Sequence, residues 1–298
     1  MTETTVAVRR ATALRPPPPI ARRERRRRRL YWIATHSIAI ALAIMFLAPL
    51  IFMFLTAVMS SDETLTGGLW PRTWHWGNFG RALTTDHGVM LHWLFNTLLY
   101  AVLATTFMLV SSIPVAYALA RFRFRGRKLA FVLVISTMML PPQVTIVPMY
   151  IMWARFHLTG TLWPLIVPLL FGDAFSIFLL RQFLVTIPRE YADAAQVDGC
   201  GELRTMLRVI LPMARPAIAA VALFQFFYAW NDYFGPLIYT KPESWTLAVG
   251  LSTFRAAHHV EWNLTMAATL LTVLPVIIVF FLAQRVFIQG VTLTGVKG

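Results

Sequence analysis

The sequence predicts an all-α membrane protein that crosses the bilayer six times. Of its 298 residues, 57% are hydrophobic and only 13% are charged, whereas about one quarter of the residues in soluble domains are charged. Several windows of about twenty residues are almost free of charge, which is the length that a helix needs to cross ~30 Å of hydrocarbon. Because a helix satisfies its own backbone polar groups in lipid, we expect these windows to be helical.

Six apolar stretches are long enough to span a membrane. Each is bounded by a segment that is richer in polar, charged, glycine or proline residues. We therefore expect one transmembrane helix in each of six ranges, which are about 32–59, 92–119, 129–154, 162–184, 216–240 and 262–284.

The basic residues are distributed unevenly between the segments that connect these spans. When the connecting segments are taken alternately, one set holds 22 of the 27 Lys and Arg residues and the other holds 5. Segments rich in Lys and Arg remain in the cytoplasm according to the positive-inside rule. The sequence therefore predicts a multi-pass cell-membrane protein with both termini, residues 121–128 and residues 190–212 in the cytoplasm. The net charge of +14 reflects this topology and does not indicate nucleic-acid binding.

The N-terminal residues 1–31 are expected to form a disordered, Arg-rich and Pro-rich cytoplasmic tail. They include "RPPPP" (15–19) and "RRERRRRRL" (22–30), a composition that nucleic-acid-binding arms and signal peptides also show. The apolar stretch that follows is too long for a cleaved signal peptide and ends in "MSSDETL" without a clear small-residue cleavage site. We interpret the arginines as contacts to the anionic inner leaflet. Residues 291–298 are expected to form a second cytoplasmic tail.

Motifs for catalysis, nucleotide binding or metal binding are missing from the sequence. There is no G-x-x-x-x-G-K-[ST] loop for phosphates, no H-E-x-x-H pair and no Cys/His cluster. The single Cys200 makes no intrachain disulfide, and we interpret His258 and His259 beside Glu261 as ordinary solvated residues. The sequence therefore predicts a non-catalytic chain without a cofactor or metal of its own, so any energy source must be another subunit.

A polar passage, "EYADAAQVDGCGELRTMLRVILP" (190–212), interrupts the apolar pattern between the fourth and fifth spans. Gly199 tolerates the left-handed conformation that ends one helix and lets another begin in a new direction. A second amphipathic helix is expected to follow until Pro212 and Pro216 end it. Its apolar face would comprise Leu203, Met206, Leu207 and Ile210. The passage is thus predicted to be an elbow of two short helices.

The composition of this elbow is typical of a protein-docking element. Small side chains keep its first helix slim enough to enter a groove, and its acids can bind basic residues of a partner. An amphipathic helix lying on the inner leaflet is the alternative, but such helices are usually rich in Lys and Arg. The residues concerned are Glu190, Ala192, Asp193, Ala194, Ala195, Asp198 and Glu202.

The same passage resembles the EAA motif of the permease subunits of bacterial ATP-binding-cassette importers. The matching positions are Asp193-Ala194-Ala195, Gly199, Val209 and Leu211-Pro212. Further stretches are similar to the smaller permease type of the maltose system, namely "WLFNTLLYAV" (93–102), "PVAYALARFRFRGRK" (114–128), "LPPQVTIVPMY" (140–150), "LLRQFLVTIPREYADAAQVDG" (179–199) and "FFYAWNDYFGPLIY" (226–239). The resemblance covers about residues 32–290. It departs at Asp193, where the family usually has glutamate, and in the N-terminal tail.

This resemblance implies a permease fold of the type I importers and a set of partners. Such a chain pairs with a second, homologous permease to form a heterodimer. Two ATPase subunits, which bind ATP and Mg, dock on the elbows of the two permeases, and the elbow of this chain is at residues 188–212. An extracytoplasmic binding protein delivers the sugar, and ATP binding drives the helices from an inward-facing to an outward-facing state. The elbow would transmit force without performing chemistry.

Two acidic residues, Asp173 and Asp232, lie inside predicted spans. A carboxylate at membrane depth costs roughly 2.5–3.5 kcal/mol on insertion scales and therefore normally faces protein or water. Near Asp232, a set of aromatic and amide side chains offers the mixed surface that suits a sugar, although such aromatic residues also form the interfacial belt of membrane proteins. The possible pathway residues are Asp173, Tyr228, Trp230, Asn231, Asp232 and Tyr233.

Two other classes of protein fit the sequence less well. A self-sufficient secondary transporter would need inverted repeats and a site for a coupling ion, and it would leave the elbow without a role. A membrane-embedded enzyme would need convergent His, Cys or carboxylate residues in its spans, where only two separated acids occur. The sequence does not name the sugar.

Overall fold

The computed structural model describes the backbone of residues 19–257 and 261–292, and the chain divides after Leu55 into two compact units. The predicted tail residues 1–18 and 293–298, and the pair His258 and His259, lie outside the described residues. Throughout the described part the secondary structure is helical, without β-strands. The predicted all-α class is therefore confirmed there.

The N-terminal unit contains most of helix α1, which extends from Pro19 to Ala57. We predicted that residues 19–31 belong to a disordered tail, and this is wrong, because they form the first turns of α1. Arginine has a high helix propensity, and extending an existing helix is far easier than nucleating one. Pro19 fits the first turn, where its missing N–H has no helical partner to lose.

The larger unit begins with a short helix and the longest helix of the chain. Helix α2 (Ser61–Leu65) is closed by a capping box between Ser60 and Glu63. Helix α3 (Gly77–Arg121) has 45 residues and starts well before the predicted second span. The side-chain amide of Asn78 donates to the carbonyl oxygens of Ala57 and Met59 at 2.9 and 2.8 Å. These bonds fix the start of α3 to the preceding chain.

The predicted third span is divided into helices α4 (Arg127–Thr137) and α5 (Pro142–Arg155). The expectation of one continuous helix at 129–154 is therefore wrong. Pro141 and Pro142 supply no backbone N–H, and a residue that precedes a proline is disfavoured in the helical region. Pro141 accordingly has extended backbone, with φ −62° and ψ 131°.

The predicted fourth span, 162–184, is also irregular. It comprises helix α6 (Trp163–Ile166), a 3₁₀ segment Val167–Phe171 and helix α7 (Ala174–Thr186). The break between them falls at Gly172, which has φ 97°, a value that L side chains rarely adopt. Asp173 follows this break directly and therefore sits at the start of α7.

The remaining elements are five short helices and two long ones. The short helices α8 (Glu190–Val197), α9 (Glu202–Thr205) and α10 (Leu211–Met213) form the elbow, with a π segment Met206–Ile210 between the last two. Helix α11 (Arg215–Asn231) ends nine residues before the predicted end of the fifth span. Helices α12 (Phe234–Tyr239), α13 (Leu247–Ala257) and α14 (Trp262–Thr292) complete the described chain.

The predicted number of six spans is not confirmed. Within the described residues, four helical stretches are long and apolar enough to cross a membrane: 26–57, 88–121, 163–186 and 262–284. A fifth is added if residues 202–213 and 215–231, which meet at a bend of 80°, are taken as one broken span. The missing span is the third, because each of its two helices is too short by itself. The chain remains a multi-pass membrane protein.

Helix α3 forms the centre of the larger unit, where it packs against α7, α11 and α14. Small residues such as Ala101 and Ala104 on α3 are fully buried and allow close helix contact. Two apolar clusters lie along this helix, one around Trp93 and Trp230 and one around Met108. The second cluster includes the elbow residue Ile210, so the elbow is anchored in the core.

Candidate functional site

The elbow has the turn that the sequence predicted. Helix α8 ends before Gly199, which has φ 78°, and the Cys200 N–H donates to the Ala195 carbonyl oxygen at 2.9 Å in a Schellman-type closure. The chain then turns into α9. No heavy atom lies within 4 Å of the position that a Cβ at Gly199 would occupy. Glycine is therefore required here by the backbone conformation and not by lack of space.

Three of the predicted docking acids are exposed on the elbow surface: Glu190, Asp193 and Asp198. Within the described part of the chain, none of these carboxylates accepts a hydrogen bond or forms an ion pair. Of the alanines beside them, Ala194 is exposed, Ala192 is half-buried and Ala195 is buried. The first elbow helix therefore presents a slim, acidic outer side.

Glu202, the fourth predicted acid, is held by hydrogen bonds within the chain. The hydroxyl of Tyr117 on α3 donates to Glu202 Oε2 at 3.1 Å, and the amide of Gln196 on α8 donates to Oε1 at 2.7 Å. The sequence led us to expect a free charge for a partner. The structure instead shows a side chain that joins both elbow helices to the long helix α3.

The predicted apolar face of the second elbow helix is divided between the core and the outside. Met206 and Ile210 are 7% and 0% exposed, whereas Leu203 and Leu207 are 67% and 53% exposed. The prediction that all four residues lie on one face of a single helix is therefore wrong. Residues 206–210 form a π segment, whose i→i+5 turns separate i+3 neighbours and keep i+4 neighbours on one side. Leu211 and Pro212 follow and are half-buried.

A cavity of about 690 Å³ lies among helices α3, α5, α6, α7, α11 and α12. Both predicted span acids and one predicted aromatic residue line it. Its described lining residues are Tyr100, Thr145, Ile146, Met149, Pro164, Leu165, Pro168, Leu169, Asp173, Phe175, Ser176, Phe224, Gln225, Tyr228, Asp232, Phe234, Gly235, Ile238 and Tyr239. Most of these side chains are apolar or aromatic, and a few polar groups converge between them, which is typical of a small-molecule site.

Asp232 sits at the break between α11 and α12, and both of its oxygens accept hydrogen bonds. The hydroxyl of buried Tyr100 donates to Oδ2 at 3.0 Å, and the Gly235 N–H donates to Oδ1 at 3.0 Å. A Cβ at Gly235 would lie 2.6 Å from Asp232 Oδ2. Glycine at 235 is therefore needed for this carboxylate to keep its position.

Asp173 caps the N-terminus of α7. Its Oδ2 accepts a hydrogen bond from the Ser176 N–H at 2.7 Å, while its own N–H donates to Ser112 Oγ on α3 at 3.1 Å. Asp is among the preferred residues at this position because its oxygen satisfies a free helix N–H. The carboxylate is thus fixed in direction with one oxygen engaged by the backbone.

The other predicted pathway residues do not line the cavity. Trp230 is 2% exposed, and its Nε1–H donates to the Thr272 carbonyl oxygen at 3.2 Å, so it belongs to the core. The Asn231 amide donates to the Phe227 carbonyl of its own helix at 2.8 Å, and Tyr233 is exposed. Of the six predicted pathway residues, the cavity is thus lined by Asp173, Tyr228 and Asp232.

Several lining residues were missed, and a local signal was available for two of them. Gln225 precedes Tyr228 by three positions and Asp232 by seven, which is the spacing of one helix face. Ser176 follows Asp173 by three positions, the spacing of a capped first turn. Tyr100 and Tyr239 carry no such signal, because only the packing of distant helices brings them to the cavity.

The helical fold and the cavity within it are typical of a membrane transport protein. The sequence matches the family of binding-protein-dependent transport system inner membrane components over residues 112–293, more than half of the chain. The chain therefore belongs to this family, and it is a permease, the non-catalytic membrane subunit of an ATP-binding-cassette importer.

Three similar proteins show how far the likeness extends. The arabinooligosaccharides transport system permease protein AraQ of Bacillus subtilis is 31% identical over 273 residues, or 90% of this chain and 96% of that protein. The sn-glycerol-3-phosphate transport system permease protein UgpE of Yersinia pestis is 34% identical over 271 residues, or 86% and 94%. A chain from the crystal structure of a bacterial ABC transporter involved in the import of the acidic polysaccharide alginate has a TM-score of 0.76 at 24% identity, over 86% and 96%. This structure shares the fold.

Proposed function

We propose that this chain is a permease of an ATP-driven sugar importer that forms the translocation pathway together with a second, homologous permease. The proposal rests on the observation that this family member has two separate features. One is a cavity lined by two carboxylates that are fixed by hydrogen bonds, and the other is an elbow whose exposed acids are unengaged within the described chain. The name of the relative AraQ, an arabinooligosaccharide permease, supports a sugar as cargo. The family description supports delivery by a binding protein.

The cavity is the proposed path of the sugar through this subunit. Its volume of about 690 Å³ is within the range of small-molecule sites, ≈ 300–1,000 Å³. The carboxylates of Asp173 and Asp232 can accept hydrogen bonds from sugar hydroxyls, and the exposed ring of Tyr228 offers an apolar face. Most residues that line the cavity lie on α7, α11 and α12 or at the breaks before α7 and α12. The sugar would therefore contact the ends of interrupted helices.

The elbow is the proposed docking point for one ATPase subunit, and a second ATPase subunit would dock on the elbow of the other permease. Glu190, Asp193 and Asp198 are exposed and unengaged within the described chain, and they can form charge-assisted bonds with basic residues of the ATPase. Glu202 would carry a movement of the elbow to α3 through the Tyr117 hydroxyl. Closure of the ATPase dimer would then tilt the permease helices as rigid bodies.

No cofactor is assigned to this chain, and ATP and Mg would be bound by the ATPase subunits. The sequence has no phosphate-binding loop, and the described residues contain no group of three or more His, Cys, Asp or Glu that could hold a metal ion. The proposed role of this subunit is therefore mechanical. It couples hydrolysis in another subunit to sugar movement.

The proposed topology places both termini and the elbow in the cytoplasm, because basic residues are concentrated in alternate connecting segments. A reporter that is active only outside the cytoplasm should stay silent when it is fused after Lys128 or after Gly298. Activity at either point would overturn this orientation.

The proposed function is tested by purifying the tagged chain from its own membranes. We expect a second permease and an ATPase subunit to co-purify, and we expect ATP hydrolysis in vesicles to rise when binding protein loaded with sugar is added. A secondary transporter would instead purify alone and take up sugar in the absence of ATP. That result would refute the proposal.

A further inference from the structure

The titratable Asp, Glu, Lys, Arg and His residues in the described lining of the cavity are all acidic. Among the lining residues that the structure describes, two are carboxylates, Asp173 and Asp232, and none is Lys, Arg or His. By their names, UgpE transports a phosphate ester and the alginate importer transports an acidic polysaccharide. A strongly anionic cargo would need basic side chains along its path, and the described lining of this cavity has none.

Both carboxylates are held in place by hydrogen-bond donors. Each oxygen of Asp232 accepts a bond, one from the Tyr100 hydroxyl and one from the Gly235 N–H, and donors of this kind stabilise a carboxylate relative to a carboxylic acid. Asp173 caps the 13-residue helix α7 and accepts from the Ser176 N–H, where the helix dipole also favours negative charge. The acidic groups of the described cavity wall are therefore fixed in position, and no basic side chain of that wall offsets them.

We propose that this permease accepts uncharged carbohydrates and rejects acidic ones, and that Asp173 and Asp232 provide the discrimination. The inference rests on the proposed function. Hydroxyl groups of a neutral sugar can donate to the two carboxylates, with Oδ1 of Asp173 accepting no bond from the described part of the chain. A uronate or phosphate at the same place would bring like charges together in a site of low dielectric constant, which is unfavourable.

The apolar part of the cavity is consistent with a sugar ring. Tyr228 is 65% exposed, and Phe175 and Phe224 form an edge contact with ring centroids 6.0 Å apart and remain about 40% exposed. Such rings offer flat apolar faces to the C–H side of a pyranose or furanose. Carboxylates and aromatic rings on one wall therefore match a cargo that has both hydroxyl groups and apolar faces.

The first experiment measures the sign of the potential in the cavity and does not require the sugar to be known. In a Cys200→Ser background, Tyr228→Cys is introduced into the chain within its complete importer. Its rate of modification is measured with a cationic and an anionic methanethiosulfonate of similar size. The reference is Leu69→Cys, because Leu69 is exposed and is not among the residues that line the cavity.

We expect the cationic reagent to be favoured at position 228, and Asp232→Asn or Asp173→Asn to reduce the ratio of the two rates by about a hundredfold each. One charge roughly 10 Å away at an effective dielectric constant of about 20 changes the rate of each reagent by about tenfold, and it acts in opposite directions on the two reagents. The ratio at position 69 should not change in either variant. An unchanged ratio at position 228, an anionic preference there, or no reaction there while position 69 reacts would overturn the proposal.

The second experiment separates failure of this inference from failure of the proposed function. Stimulated ATP hydrolysis is measured with the binding protein and a panel of neutral, uronate-containing and phosphorylated saccharides. We expect stimulation by a neutral saccharide alone. Stimulation by an acidic saccharide would refute the charge discrimination and leave the importer function intact, whereas no stimulation by any member would count against the importer function itself.

Discussion

The elbow and the cavity both carry acidic residues beside helix ends, but they hold these residues in opposite ways. At the elbow, Glu190, Asp193 and Asp198 are exposed and unengaged within the described chain. In the cavity, Asp173 and Asp232 are half-buried and fixed by donors at 2.7–3.0 Å. Unengaged acids suit a surface that a partner completes, whereas fixed acids suit a wall that must keep its geometry while a ligand passes.

Glu202 is an elbow acid that is held by hydrogen bonds, as the cavity acids are, and its bond partner shows how the two regions are connected. It belongs to the elbow by sequence, yet it is bonded to Tyr117 on α3. The same helix carries Tyr100, which holds Asp232 in the cavity. One helix thus donates a hydrogen bond to an acid of each region, and α3 with these two hydrogen bonds links the elbow to the cavity wall.

The largest expected effect is that of Gly199→Val at the elbow. A β-branched residue at φ 78° is strained by roughly 1–3 kcal/mol, or the second elbow helix must change direction. We expect sugar uptake to be abolished or sharply reduced and ATPase co-purification to weaken, with normal insertion and normal pairing with the second permease. Asp193→Ala should have the same effect in a milder form.

Gly201→Val is the matched control for this substitution. Gly201 lies two residues away with φ −69° and ψ 161°, and it has open space around its Cβ position. Valine adopts this backbone readily. Uptake and docking should therefore be retained in Gly201→Val, and an equal loss in both variants would show that the conformation of Gly199 is not the cause.

The second largest effect on sugar uptake is expected from Asp232→Ala in the cavity. The substitution removes an acceptor of the buried Tyr100 hydroxyl, and an unsatisfied buried donor costs about 1–3 kcal/mol. We expect uptake to fall by at least tenfold, while the ATPase still co-purifies because the elbow is unchanged. Loss of docking in this variant would show that the two regions cannot be separated.

Asn231→Ala is the control for the cavity substitution. Asn231 neighbours Asp232 in the chain but is exposed and bonds only to its own helix. Surface substitutions of this kind usually change stability by less than ~0.5 kcal/mol. Uptake by Asn231→Ala should therefore stay close to that of the unmodified chain.

A smaller effect is expected from breaking the link between the elbow and α3. Glu202→Ala and Tyr117→Phe each remove the same 3.1 Å hydrogen bond, which contributes roughly 0.5–1.5 kcal/mol. We expect each variant to retain ATP hydrolysis but to couple it less efficiently to uptake, by a few-fold. The double variant should be no worse than Glu202→Ala alone, since both substitutions act on one bond. Additive losses would contradict a shared role.

The smallest effect is expected from deleting residues 1–18, which precede α1 and belong to neither region. They are polar and proline-rich, without an apolar face that could pack. The arginines at 22–29 remain in this truncated chain. Uptake should be nearly unchanged, and its loss at normal membrane levels would show that this segment has a partner.

The sequence by itself determined the class of this protein and indicated the two regions that are compared above. Charge-free windows and the uneven distribution of arginine required a helical membrane protein, because lipid cannot satisfy a free backbone or a charge. The glycine at 199 indicated a turn, since side chains other than glycine rarely adopt its φ. The acids at 173 and 232 indicated inward-facing sites because they lie in apolar stretches.

Only the tertiary structure decided which residues meet. The prolines at 141 and 142 could have kinked the third span or divided it, and packing selected division. Tyr100 and Tyr239 reach the cavity from helices far apart in the chain, and Glu202 accepts a hydrogen bond from Tyr117 because folding brings α3 beside the elbow. Local sequence patterns indicate the environment or backbone conformation that a residue favours, such as water, lipid or a particular φ. The identity of its partner depends on contacts between distant segments, which are settled only when the helices pack.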